Sequence, residues 1–230
     1  MAVRRPATRG RERLTSSSWT GASQPRMIGL SHPTRWSAWA GMLGGLLWAL
    51  FPLGELPVVH LVLTPEGSLA YYGLGNLCAA LLLLIGLKGF HAIHRRSYGW
   101  LGSVGFSVSF VALVLVFVAG AFEMTNMAFT SAGSTVGYLA LIMSFLLLAC
   151  GSVLLGLAIT GVLYDLASYL AGLLLANGVP LGLLVVFMAG AAWDFYFWVG
   201  LTAPYGVAWL LLGYALLSAR GTATPSSHLN

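Results

Sequence analysis

Glu55, His60, Glu66, Glu123 and Asp194 are the residues of this chain best suited to cation binding or proton transfer. Carboxylates gathered around one imidazole suit a divalent cation and, in another geometry, acid–base catalysis. Their spacing matches no fixed ligand pattern: there is no HExxH, no paired histidine and no DxD. Two further candidates for a cation or solute site are Asn177 and Pro180, in "ANGVPLG". A proline inside an apolar run removes a backbone bond and frees the carbonyl four residues back. In a membrane that carbonyl needs a partner from protein or water, and unwound helices of this kind line substrate cavities in transporters. A simple kink is the plainer reading, because no second span shows a matching break. Pro52, Pro57, Pro65 and Pro204 all read as lying at or beyond helix ends.

Other motifs have structural readings. In "HAIHRR", His91 and His94 are three apart beside Arg95 and Arg96, a cluster suited to lipid phosphates. Asp165 in "LYDLASYL" stands where a helix N-cap is needed. Asn76 is read as hydrogen-bonding glue between helices, and Ser103 and Ser107 share a face that can bond a neighbour. In "WDFYFW", Asp194 sits among Trp193, Tyr196 and Trp198. Such rings favour the boundary between headgroups and hydrocarbon, so the stretch reads as an anchor and tight turn. Cys78 and Cys150 lack a spacing partner for zinc or redox work and read as small packing residues. No Ser–His–Asp arrangement, P-loop or dinucleotide loop is present.

The elements that must position these residues follow from composition. The chain is 58% hydrophobic and 7% charged, against about 25% charged for soluble domains. Too little polar surface exists to face water, so lipid must be the solvent. Apolar runs of about 20 residues are long enough to cross a hydrocarbon core. They place spans at 36–53, 69–90, 99–122, 134–160, 169–192 and 200–219. With the N-terminus inside, all eleven basic residues fall on the cytoplasmic side. The outer loops then hold Glu55, Glu66, Glu123 and Asp194 without lysine or arginine. This topology alone explains acids on the outside, so a solvated rim is the simpler reading of that group.

The net charge of +5 resides in residues 1–26, where Arg4, Arg5, Arg9, Arg11, Arg13 and Arg26 face only Glu12. Residues 1–35 read as a disordered basic tail that sets orientation, with a start at Met27 as the alternative; 220–230 form a short C-terminal tail. The 29 glycines suit close helix contact in lipid, with small-residue faces at Gly41/Gly45, Gly133/Gly137 and Gly178/Gly182, and Gly99, Gly102 and Gly105 along one side of the third span. Endings such as "LLLIGLKG", "VLLGLAIT" and "LLLGYALL" suggest three related hairpins, although apolar sequence repeats easily.

The expected fold is an all-α, polytopic integral membrane protein, a six-helix bundle in the plasma membrane with both termini cytoplasmic. The leading function is non-enzymatic, a partner subunit or membrane organiser. A small solute or ion permease using the broken fifth helix is the alternative, and a membrane-embedded enzyme acting on lipid or metal comes third. No cofactor is expected. The expected partners are the bilayer and another membrane protein or a second copy, not nucleic acid.

Overall fold

The computed structural model describes the backbone of residues 32–51, 53, 65–126, 131–189 and 193–218, and side chains for 35–51, 53, 73–122, 124, 139–182, 184, 188 and 199–218. Among the described residues the chain is all-helical. In chain order the helices are α1 (His32–Leu50), α2 (Pro65–His94), α3 (Gly99–Asn126) and α4 (Ser131–Thr160). Next comes α5, built from Leu166–Leu173, a π turn at Leu174–Gly178 and Val179–Ala189. The last helix is α6 (Trp193–Ser218). Among the described residues four stretches are long and apolar enough to cross a membrane: Gly73–His94, Gly99–Phe122, Leu139–Thr160 and Val199–Ser218. The Leu166–Gly182 part of α5 is shorter.

Each helix packs against its sequence neighbours, and α6 returns to α1, so the bundle closes as a ring. Leu81, Val111, Met143, Leu181 and Leu184 are among many large apolar side chains left exposed on it. A surface of that kind is unfavourable against water and suited to hydrocarbon.

Lipid gives apolar helix faces no reason to leave it, so the seams depend on close approach. A Cβ on Gly45 of α1 would stand 2.5 Å from the Gly206 carbonyl oxygen of α6. Gly86 of α2 lies against the Gly41 backbone, and Gly120 of α3 against that of Gly73 in α2. Gly105 and Gly151 meet backbone across the α3–α4 seam, Gly156 and Gly172 face each other between α4 and α5, and Gly182 and Gly200 between α5 and α6. All six seams therefore hold a backbone-to-backbone contact that a side chain would prevent.

Several local expectations are corrected. The break expected at 193–199 is instead the opening of α6, since "WDFYFW" contains neither glycine nor proline and Asp194 in a first turn complements the helix dipole. As a result Pro204 lies well inside α6 rather than at its end. Ser103 and Ser107 do not reach a neighbour: each hydroxyl donates at 2.9 Å to a carbonyl one turn back, on Gly99 and Ser103 respectively. Cys78 and Cys150 are free thiols on the exposed face instead of packing residues. Gly133 and Gly137 lie outside the described side chains. Asp165 does cap α5, its Oδ2 accepting from the Ser168 N–H at 2.9 Å.

Substitution at the closing seam should therefore be costly. Gly206→Val is expected to destabilise the bundle by about 1–3 kcal/mol through overpacking, read as a lower melting temperature in detergent. Gly161→Ala, at an open position in the α4–α5 turn, should stay within about 0.5 kcal/mol of the parent.

Candidate functional site

The ring's interior is built around aromatic side chains. Trp48 of α1 is fully buried, as are Tyr205 and Trp209, which stand four apart on one face of α6. Gly41 and Gly45 make the space for them: a Cβ on Gly41 would lie 3.3 Å from the Trp209 ring, and one on Gly45 2.9 Å from the Trp209 Cβ. The Trp48 and Tyr205 rings meet edge-on at 5.3 Å, with Phe145 of α4 at 6.3 Å from Trp48. Tyr205 and Trp209 are 6.3 Å apart, and Phe90 of α2 stands 6.3 Å from Trp209. With Tyr98 stacked 6.2 Å from Phe90, a continuous column of rings runs from the α2–α3 turn to the bundle centre.

Buried polar atoms occur in the same bundle with few protein partners. The Trp48 indole N–H, the Ser109 hydroxyl of α3 and both amide atoms of Asn76 in α2 are buried and make no hydrogen bond, while the Tyr205 hydroxyl and the Trp209 indole N–H have no partner but each other. Each such group costs about 1–3 kcal/mol when left unpaired. Asn76 is only 1% exposed and lies at the α2–α3 seam, where a Cβ on Gly120 would come within 3.3 Å of its own Cβ. Ser144 and Ser152, by contrast, are satisfied within their own helix, at 2.6 Å and 2.8 Å from the Leu141 and Ala149 carbonyls. These unpaired groups are chemically uniform. They are neutral hydrogen-bonding groups, every atom but the Asn76 Oδ1 able to donate, and none is a carboxylate or an amine.

The α5–α6 hairpin carries the backbone irregularity. Pro180 cannot donate to the Ala176 carbonyl, and the π turn just before it lets carbonyls reach one residue further along. Pro204 likewise leaves the Gly200 carbonyl without its usual donor. The two irregularities face each other: a Cβ on Gly178 would stand 2.8 Å from Pro204, and Gly182 lies against Gly200. The sixth helix thus holds an interior proline opposite the π turn of the fifth, while its own helical run continues unbroken. Beside it opens an apolar groove of about 410 Å³, lined by residues such as Leu174, Gly178, Gly200 and Pro204. Asn177 is exposed, its Nδ2–H donating to the Leu173 carbonyl at 3.2 Å, and it does not line that groove.

At the α2–α3 turn the two histidines are held in place. His91 shares a hydrogen bond with the Tyr98 hydroxyl through Nδ1 and stacks on Phe106 at 3.8 Å. His94 donates from Nδ1 to the Phe90 carbonyl at 3.1 Å and stacks on the Phe90 ring at 4.4 Å. Burial pushes the Tyr98 hydroxyl up to about 12, so it stays protonated at neutral pH. Gly99, at φ 61°, turns the chain into α3. The cluster clamps a turn. Among the described residues no three histidine, cysteine or acidic side chains gather as a metal site.

Of the sequence-based candidates, Glu55 and His60 lie outside the described residues. Glu66, Glu123 and Asp194 sit in the first turn of α2, the last turn of α3 and the first turn of α6, all at one end of the ring. Their side chains lie outside those described. Trp48, Tyr205, Trp209 and Ser109 were missed. For Tyr205 and Trp209 the signal is position, since they fall in mid-span, away from the boundary where rings such as Trp193 and Trp198 are expected; Trp48, near the end of α1, carries no such signal.

If the Asn76 amide is unpaired in the empty bundle, Asn76→Leu should raise stability by about 1–3 kcal/mol. Asn177→Leu, at an exposed position, should change it by less than about 0.5 kcal/mol. Thermal unfolding of the purified protein reads both. Comparison with known proteins finds no match to this chain among family models, curated proteins or solved structures.

Proposed function

We propose that this chain is a non-enzymatic, multi-pass membrane protein that admits a small, uncharged, hydrogen-bonding solute into its helix ring. In this reading it crosses the plasma membrane six times, with both termini cytoplasmic, since that arrangement keeps every basic residue on one side. The observation that supports it best is the set of buried neutral groups on Trp48, Asn76 and Ser109, which have no partner, with Tyr205 and Trp209, which have at most each other. A polar solute offers these groups the partners that the protein withholds. A charged solute would meet no counter-charge among them, which favours a neutral one over an ion.

The ring is packed shut by its aromatic column, so entry requires motion. The facing irregularities at the α5 π turn and Pro204 supply the hinge. Helices with interrupted bonding swing more readily than regular ones, and the outer halves of α5 and α6 would part together. A second reading, in which the chain is a subunit or organiser for another membrane protein, draws support from the apolar groove beside that hinge. Copurification of a stoichiometric partner would favour it.

Vesicles carrying the purified protein should pass glycerol or urea faster than protein-free vesicles, as read by stopped-flow light scattering. Tyr205→Phe and Asn76→Leu should each lower that rate by about tenfold, the loss of one hydrogen bond to the solute. Vesicles no more permeable than lipid alone, or variants that pass solute at the parental rate, would overturn the proposal.

A further inference from the structure

We propose that α1 carries a binding slot for one anionic phospholipid, formed by Arg35, Trp36, Trp39 and Leu43. These residues recur at helical spacing and so share one face, and together they bound a slot of about 470 Å³. The other sides of α1 are taken by α2 and α6, so this face points out of the ring. Trp36 is 72% exposed, Trp39 49% and Leu43 50%, and the apolar track continues along Leu46, Leu47 and Leu50, all exposed.

The chemistry changes along the slot in the order that a phospholipid requires. Arg35, one turn into the helix, presents a guanidinium that matches phosphate oxygens in paired hydrogen bonds. The two indoles follow, each with a ring for the glycerol region and an N–H at its edge. Leucines then line the way for an acyl chain. Arg35 makes no ion pair with the described residues, and the one acidic side chain among them, Asp165, is committed to capping α5.

An anionic headgroup is favoured over a zwitterionic one. Gly89 packs on Ser37 and Gly86 on Gly41, which brings Lys88, Arg95 and Arg96 of α2 and its following turn to the same end as Arg35. A choline or amine would add a cation to that group, whereas a phosphatidylglycerol headgroup would not.

Full-length protein taken from vesicles of equal phosphatidylglycerol and phosphatidylcholine can be weighed by native mass spectrometry. The parent should retain phosphatidylglycerol preferentially. Arg35→Gln should cut that retention about tenfold, as expected for one charge-assisted contact, while Arg96→Gln should leave it within about twofold. Both positions are exposed, and unchanged melting temperatures would show that each variant folds. Equal retention of the two lipids, or an equal loss in Arg96→Gln, would overturn the proposal by reducing it to diffuse attraction. So would a dimer that Trp36→Ala dissociates, which would assign the slot to a second copy.

Discussion

Large apolar side chains facing outward, on helices of which four among the described residues are long and apolar enough to cross a membrane, suit a solvent that does not reward burial. In water an apolar helix face gains free energy by leaving the solvent. In hydrocarbon it gains almost nothing, so cohesion must come from contact close enough for dispersion and backbone dipoles to matter. The glycines at the six seams meet that demand directly. They let backbones touch where any side chain would hold them apart. The leucines, valines and methionines that would form the core of a soluble protein can then face outward.

The interior is mixed. Leucine and alanine share it with the rings of Trp48, Phe51, Phe90, Tyr98, Phe145, Tyr205 and Trp209. Their polar atoms come with them, and several of these find no partner. A bundle selected only for stability would replace such groups with apolar ones of similar size. Retaining them costs stability, which is the usual mark of a site that does something else.

Much of this was legible in the chain and some was not. The apolar runs located the helices to within a few residues, except where "WDFYFW" read as a turn and proved helical. Aromatic residues mark interfaces often enough that their helix-forming capacity is easily discounted. That one boundary hid the interior position of Pro204, which looked terminal only while α6 was thought to begin near residue 200. Gly41, Gly45, Gly105, Gly178 and Gly182 meet a neighbouring helix as read, whereas Gly99 meets nothing and Gly102 only the Tyr98 ring just before it; Gly133 and Gly137 lie outside the described side chains. The repeated endings around Gly86, Gly156 and Gly213 need no common ancestry, because each meets the same requirement at a seam. Apart from Asn76, the interior polar groups escaped detection because helical periodicity reports which residues share a face but not whether that face meets lipid or the ring. Both are apolar by composition, so a mid-span tryptophan is ambiguous until its neighbours are placed.

The account stands or falls on the identity of the solvent around the exposed face. Cys78 and Cys150 are free and lie on that face, and a thiol reacts only as the thiolate, which requires water. In opened membrane vesicles, a charged maleimide offered to both sides should leave both cysteines unmodified, and should label both once detergent unfolds the bundle. Labelling of either thiol in the vesicles at the unfolded rate would mean that water, not lipid, covers these helices.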